Sequence, residues 1–219
     1  MKSFKKFIKE ESSEERMAAQ KQRQEGESSL IGRLEKHYKH PEIDHIHLYN
    51  YTADSSELNN HLWKSHKGEE IPDDVNSKFR VRDIDRLSKI MDKHKTPEAM
   101  TVWSKSRHDP RELKNKDSVV HHPAFLSTSI RKSYVESARG FGNRNTTKKD
   151  GITHHHVFKI NVPKGHKGVY IPDEHSVDNQ AKEFVLPKGL NMKHHDTFTK
   201  EDNTSKNHYH EHHLSVIGD

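Results

Sequence analysis

The sequence predicts an α+β protein in which a helical first half precedes a half built from strands. Up to about residue 93, apolar residues recur at helical spacing, as Leu58 and Leu62 do. From residue 100 onwards, short apolar runs bounded by glycine, proline and polar residues replace that spacing, a pattern typical of antiparallel strands. The change of period near residue 100 therefore divides the chain into its two structural halves.

Two amphipathic helices are predicted in the first half. Residues 51–56 form a plausible cap for a helix that begins near Glu57 and ends at Gly68. A second helix is expected from Asp83 to Lys93, because four apolar residues fall on one of its faces: Ile84, Leu87, Ile90 and Met91. A shorter helix is predicted over residues 133–141.

The second half is predicted to contain seven strands and three polar loops. The expected strands cover residues 100–103, 119–120, 124–130, 156–162, 168–171, 184–186 and 213–217. The expected loops cover residues 143–151, 172–180 and 191–207.

Residues 1–40 are interpreted as a charged arm, helical or flexible, that lies outside the core. The stretch from Ser12 to Gln24 has almost no apolar stripe, which is typical of a solvated segment. Residues 41–219 are expected to form the domain itself. The first ten residues lack the apolar region of a secretory signal.

Composition restricts the partners of the protein. A net charge of +5, with 21 histidines counted as neutral, favours acidic partners such as nucleic acid. The chain has no cysteine, which excludes disulfides and thiolate chemistry, and no apolar run long enough to span a membrane. It also lacks a complete dinucleotide fingerprint and a P-loop.

Two short segments carry the chemistry. Ser127, Thr128 and Ser129 end an apolar strand, where their hydroxyls can hydrogen-bond a ligand or a carboxylate. Glu183 lies among apolar neighbours after a polar loop, where a carboxylate can stabilise an oxocarbenium-like centre on a sugar. Each segment alone more often has a structural role, as a strand end with a helix cap or as an exposed strand residue.

Together the segments resemble the mono-ADP-ribosyltransferases of the arginine, Ser-Thr-Ser and glutamate class, most closely their bacteriophage members. The similarity runs from about Leu48 to Gly189 and includes Thr96 to Ser104, Phe125 to Ile130 and Glu183 to Gly189. The resemblance implies a split antiparallel β-sandwich around a cleft that binds NAD as the substrate.

The resemblance also implies roles for individual residues. Glu183 would bind the nicotinamide ribose and act with Ser127 in catalysis. Thr128 and Ser129 would brace the strand at the NAD site, and Phe141 would stack near the nicotinamide. The loop from Pro172 to Gln180 would face the acceptor protein.

Two positions depart from the family pattern. Ser104 stands where the family has an arginine that binds the NAD phosphate, so Arg107 or Lys105 is expected to reach that phosphate instead. Ala181 stands where the family often has Glu or Gln two residues before the catalytic glutamate. Gln180 is its neighbour on the acceptor side, and the acceptor is expected to be a protein side chain, with arginine favoured.

Histidines recur in clusters at residues 154–156, 194–195 and 208–213. In a strand, His208, His210 and His212 would share one face, as metal ligands can. Without cysteine or an evident supporting carboxylate, solvated polar faces are the favoured interpretation, and no metal site is predicted.

Three functions are compatible with the sequence. The leading one is a phage factor that transfers ADP-ribose from NAD to host bacterial proteins, with the transcription or translation machinery as candidate acceptors. The alternatives are a degenerate relative that only binds NAD, and a basic structural protein packaged with nucleic acid. The amino terminus resembles that of proteins packaged in phage heads, so we expect action in the host cytoplasm, with packaging and injection as one route.

Overall fold

The computed structural model describes residues 13–38, 42–105, 113, 115–137, 146–149, 151–202, 204 and 206–218. Four helices occur in these residues: α1 Ser13–His37, α2 Glu42–Lys67, α3 Val75–Lys93 and α4 Lys132–Glu136. None of the described helices is long and apolar enough to cross a bilayer.

Nine strands of the described residues form one sheet. Their bounds are β1 Met100–Ser104, β2 Val119–His122, β3 Leu126–Ser129, β4 Thr146–Lys149, β5 Ile152–Val162, β6 Val169–Tyr170, β7 Glu183–Leu186, β8 Leu190–Asp202 and β9 Asn207–Val216. The order is β2-β8-β9-β5-β1-β3-β7-β6, and β4 pairs with β5. Every pair of these strands is antiparallel except β5 with β9, which differs from the expected all-antiparallel arrangement.

The sheet is nearly split between β1 and β3. These strands share a single register pair, Trp103 with Ser129, whereas β1 pairs with β5 over five residues. The strands β2, β8, β9, β5, β4 and β1 thus form one part, and β3, β7 and β6 form the other. The predicted fold class, a helical part followed by a split sheet, is confirmed, and the split lies beside Ser127.

The helices follow their predicted stripes but extend further. Helix α3 begins at Val75, two turns before the predicted start, because the Asp74 carboxylate caps it by accepting a hydrogen bond from the Ser77 N–H at 2.7 Å. Helix α2 ends before Gly68 as predicted, yet it begins at Glu42. Its break at Asp54 lies within the segment that we predicted to be a cap.

The end of α1 packs into the core, so the expectation that residues 1–40 lie outside the core is wrong for Ile31, Leu34 and Tyr38. These side chains are buried at 6%, 0% and 1% exposure in the main hydrophobic cluster. Their spacing of three and four residues places them on one helix face. The start of α1 is exposed, in keeping with its lack of an apolar stripe.

Two strands were predicted as loops. β8 occupies most of the segment 191–207, and β4 lies in the segment 143–151. The prediction was wrong for β8 because polar side chains of this strand bond to histidines of β9: the hydroxyls of the half-buried Thr197 and the exposed Thr199 hydrogen-bond His212 and His210 at 2.9 and 3.0 Å. Apolar alternation is therefore absent from a strand that is fully paired.

The prediction of solvated polar faces is wrong for His156 and His212, which are buried, and paired imidazoles link β5 to β9 beside their backbone pairing. His154 Nδ1 lies 2.8 Å from His210 Nε2, and His156 Nδ1 lies 3.0 Å from His212 Nε2. Each ring-to-ring hydrogen bond needs one donor and one acceptor nitrogen, so two charged rings cannot form it. Burial, together with the neighbouring histidines, lowers the pKa of His156 to about 4 and that of His212 to about 3.

Replacing a buried residue of α1 tests its place in the core. We expect Leu34→Ala to lower the free energy of unfolding by about 2–5 kcal/mol, because it removes a fully buried side chain. The exposed Met17→Ala on the same helix should change it by less than about 0.5 kcal/mol. Equal effects of the two substitutions in chemical denaturation would contradict this packing.

Acid should weaken the histidine pairing. In the unfolded chain these rings take up protons below about pH 6.5, whereas folded His156 and His212 stay neutral to about pH 4 and pH 3. The unfolded state therefore binds more protons, and the free energy of unfolding falls as pH drops from about 6.5 to 4. Denaturation at several pH values measures this slope.

The matched background for this measurement is Glu183→Gln. Burial raises the pKa of Glu183 to about 7, so its protonation below that pH stabilises the folded protein and opposes the histidine effect. In this background we expect a loss on the order of a few kcal/mol between pH 7 and 4.5, and a smaller loss after His212→Phe. A flat profile would refute the pairing of neutral rings.

Candidate active site

Glu183 is the first residue of β7, a strand in which all four side chains are buried. The residue is only 7% exposed. Burial raises the pKa of its carboxyl to about 7, a hydrogen bond from Ser127 opposes the rise, and the charge of Asp178 adds to it. The site therefore holds a carboxyl group that titrates near neutral pH, a property often found in catalytic groups.

A chain of hydrogen bonds supports this carboxyl group. An ionised carboxylate only accepts, so the Ser127 hydroxyl donates to Glu183 and accepts from the Tyr51 hydroxyl, whose oxygen lies 2.9 Å away. The Asn59 amide donates to the Tyr51 oxygen at 3.5 Å, and its own oxygen accepts the Phe125 N–H at 3.1 Å. Helix α2 thus orients Ser127 towards Glu183.

Thr128 and Ser129 connect β3 to the strand that carries Glu183. The Thr128 hydroxyl donates to the Phe184 carbonyl, and the Ser129 hydroxyl donates to the Ala181 carbonyl. Both side chains are fully buried. These contacts join β3 to β7, and the roles of both residues at an NAD site stay predictions.

Ser104 and Lys105, at the end of β1, point in different directions. Ser104 is buried, and its hydroxyl donates to the Ser127 carbonyl at 2.8 Å, which joins β1 to β3 at the split. The Lys105 amine donates to the Ser137 carbonyl at 3.1 Å and lines a cavity of about 420 Å³ with Lys132 and Glu136. Neither Ser127 nor Glu183 lines that cavity.

The loop before β7 places a second carboxylate near Glu183. Asp178 accepts a hydrogen bond from the Tyr134 hydroxyl at 2.8 Å and another from the Gln180 N–H at 3.0 Å. Gln180 is exposed, whereas the Ala181 methyl is buried at 4% exposure. Of the two predicted acceptor-side residues, only Gln180 thus presents its side chain to solvent.

Some predicted site residues are together and others lie outside the described residues. The structure brings Ser104, Ser127, Thr128, Ser129 and Glu183 to the split of the sheet. Arg107 and Phe141 lie outside the described residues. The described part of the chain contains no group of three or more His, Asp or Glu residues arranged to hold a metal ion.

Four residues that support this site were not predicted to be site residues: Tyr51, Asn59, Tyr134 and Lys182. Tyr51 and Asn59 are eight residues apart, which places them near one face of a helix, and this spacing was the available signal. Tyr134 reaches Asp178 across 44 residues, for which the sequence has no local signal.

Solved structures of ADP-ribosyltransferase toxins share this fold. C3stau2 from S. aureus, solved with NAD, has a TM-score of 0.62 and 18% identity over 89% of this chain and 95% of that chain. Plx2a from Paenibacillus larvae has a TM-score of 0.61 and 13% identity over 90% of this chain and 96% of that chain. BECa of C. perfringens, solved with NADH, has a TM-score of 0.58 and 13% identity over 92% of this chain and 48% of that chain.

No curated protein matches the chain significantly in sequence. The family model of the ADP-ribosyltransferase exoenzymes, in contrast, matches residues 32–213. That range includes most of the described helices and strands, with Ser127 and Glu183. The chain therefore belongs to the ADP-ribosyltransferase exoenzyme family.

Proposed function

We propose that this protein transfers ADP-ribose from NAD to a protein side chain and releases nicotinamide. The observation that carries the proposal is the buried Glu183 carboxyl, which receives a hydrogen bond from Ser127 at the split of the sheet. Family membership and the fold shared with toxins solved with NAD or NADH support it.

The proposed reaction breaks the bond between the ribose C1′ and the nicotinamide nitrogen, and nicotinamide leaves with the bonding electron pair. Positive charge develops on the ribose, and the Glu183 carboxylate stabilises it while binding a ribose hydroxyl. A nucleophile of the acceptor then forms the new bond to C1′ and loses its proton. Ser127 keeps the carboxylate in place and in its ionised form.

Arginine and lysine form strong, charge-assisted hydrogen bonds with phosphates such as those of NAD. Ser104 carries no charge, and its hydroxyl is bonded to the Ser127 carbonyl, so this position only joins the two parts of the sheet. We therefore assign the phosphate contact to Arg107, with Lys105 as the alternative, and the stacking on nicotinamide to Phe141. The Lys105 amine already bonds Ser137, which favours Arg107.

The acceptor is proposed to be an arginine side chain. Asp178 holds a carboxylate in the loop before Glu183, close enough to raise its pKa, and a carboxylate binds a guanidinium group well. Gln180 lies exposed in the same loop. We propose that Asp178 serves where the family's Glu is replaced by Ala181.

The setting is proposed to be the cytoplasm of a bacterial host. The resemblance to bacteriophage transferases supports a phage factor that modifies host proteins, with transcription or translation proteins as candidate acceptors and packaging in the virion as the route of entry. The net charge of +5 favours acidic partners, nucleic acid among them.

The second candidate function is NAD binding without transfer. It is favoured by the two departures from the family pattern, Ser104 and Ala181. It predicts that NAD raises the thermal stability of the protein while no nicotinamide is released.

Removal of the Glu183 charge tests the transfer reaction. We expect Glu183→Gln to lower the transfer of labelled ADP-ribose to lysate proteins at least about a hundredfold, because the positive charge on the ribose loses its stabilising carboxylate. The isosteric amide should leave the thermal shift caused by NAD largely intact. Mass spectrometry of the labelled proteins identifies the acceptor residue.

The matched control is Glu69→Gln, an exposed carboxylate at the end of α2 that should leave transfer unchanged. Full labelling by Glu183→Gln would refute the catalytic role of Glu183. A thermal shift with NAD but no labelling by the unmodified protein would favour the second candidate function.

The pH profile tests the state of the carboxyl. Since the pKa of Glu183 is raised to about 7, kcat/KM should rise with pH through an apparent pKa near 7 as the active carboxylate forms. Ser127→Ala removes the hydrogen bond that lowers this pKa, so its residual activity should rise at higher pH. Tyr51→Phe should shift the profile in the same direction by less. An apparent pKa near the ordinary glutamate value would contradict this assignment.

A further inference from the structure

Lys182, the residue immediately before Glu183, is a largely buried cation. Its side chain is 10% exposed and forms ion pairs with Asp173, from the short 3₁₀ helix Asp173–His175, and with Glu35 of α1 at 3.5 Å. A buried ammonium group is unfavourable unless carboxylates compensate it, so these two partners hold the side chain in place.

The backbone at Lys182 also needs support. Its φ of 44° lies in the left-handed region, which is unfavourable for a residue with a side chain, and it turns the loop into β7. The Lys182 carbonyl accepts the Ile130 N–H at 3.1 Å, and the Glu183 carbonyl accepts the Ile171 N–H at 2.9 Å. The position of Glu183 therefore depends on how Lys182 is held.

Helix α1 contacts both segments that lead to or from the site. Glu35 binds Lys182 on one side and accepts a hydrogen bond from the Tyr170 hydroxyl at 3.4 Å. Eight residues earlier, Glu27 accepts the Lys132 N–H at 3.4 Å, just after the strand that carries Ser127. The buried Leu34 fixes the helix between these contacts.

We propose that Glu35 and Lys182 are positioning residues for Glu183. Their ion pair anchors the start of β7 to helix α1 and so fixes the position of the Glu183 carboxylate. The expected effect of this ion pair on catalysis rests on the proposed transferase function. Its expected effect on the backbone on either side of Glu183 does not depend on that function.

Hydrogen exchange and steady-state kinetics on the full chain test the proposal together. In Glu35→Gln and in Lys182→Met, the amides of Ile130 and Ile171 should exchange faster, while those of β5 stay unchanged. The kcat should fall at least about tenfold, while the KM for NAD stays within about twofold of that of the unmodified protein. The reason is that a displaced carboxylate slows the chemical step more than it weakens NAD binding. Lys182→Arg, which keeps the charge, should restore much of kcat.

A double variant and a control on the same helix separate positioning from general destabilisation. Glu35→Gln should have little further effect on kcat in the Lys182→Met background, since the proposed role of Glu35 acts through its ion pair with Lys182. Arg33→Gln removes a different ion pair of α1, to Glu98 at 2.5 Å, and should change neither exchange at the two amides nor kcat.

Each alternative outcome has a distinct meaning. Unchanged exchange at Ile130 and Ile171 in both variants would overturn the inference, whatever the activity. Faster exchange with a normal kcat would overturn the positioning role. Faster exchange in variants of a protein that never turns over NAD would refute the proposed function, while supporting the part of the inference that concerns the backbone.

Discussion

The burial of one carboxyl group determines how the rest of this site is built. Glu183 opens a strand with no exposed side chain, so its charge is removed from most of the water that would stabilise it. Ser127 is the hydrogen-bond donor that compensates, and because the Tyr51 hydroxyl donates to the Ser127 oxygen, the Ser127 proton is left for Glu183. Helix α2, strand β3 and strand β7 must therefore keep their relative positions for the carboxylate to exist near neutral pH.

Elements that bury an apolar face could be predicted from the sequence. The stripe of α3 and the apolar runs of β1, β3 and β7 gave clear signals because water is excluded from one side of each. β8 gave none, since its Thr197 and Thr199 bond to histidines of β9 and supply no apolar alternation. Burial of the end of α1 could not be predicted for another reason: its few apolar residues follow a long polar stretch.

In the candidate site, too, local sequence features could be predicted and tertiary contacts could not. Ser127 and Glu183 could be identified because their local segments resemble known motifs, but the direction of each side chain could not. The hydroxyl of Ser104 turns to a carbonyl on β3, and the amine of Lys182 reaches α1. Contacts of this kind join residues that are far apart in sequence and depend on the finished packing. The partners of a charge or a hydroxyl are therefore set by tertiary structure.

The place of β9 in the sheet has a consequence for folding. This strand is the last in the described sequence, yet it lies inside the sheet, parallel to β5 and antiparallel to β8. A nascent chain that has not yet emerged from the ribosome beyond residue 206 leaves β5 and β8 without their shared neighbour. Such non-local pairing is slow and leaves strand edges open to aggregation during synthesis. The described sheet is therefore completed only once β9 has inserted between β5 and β8.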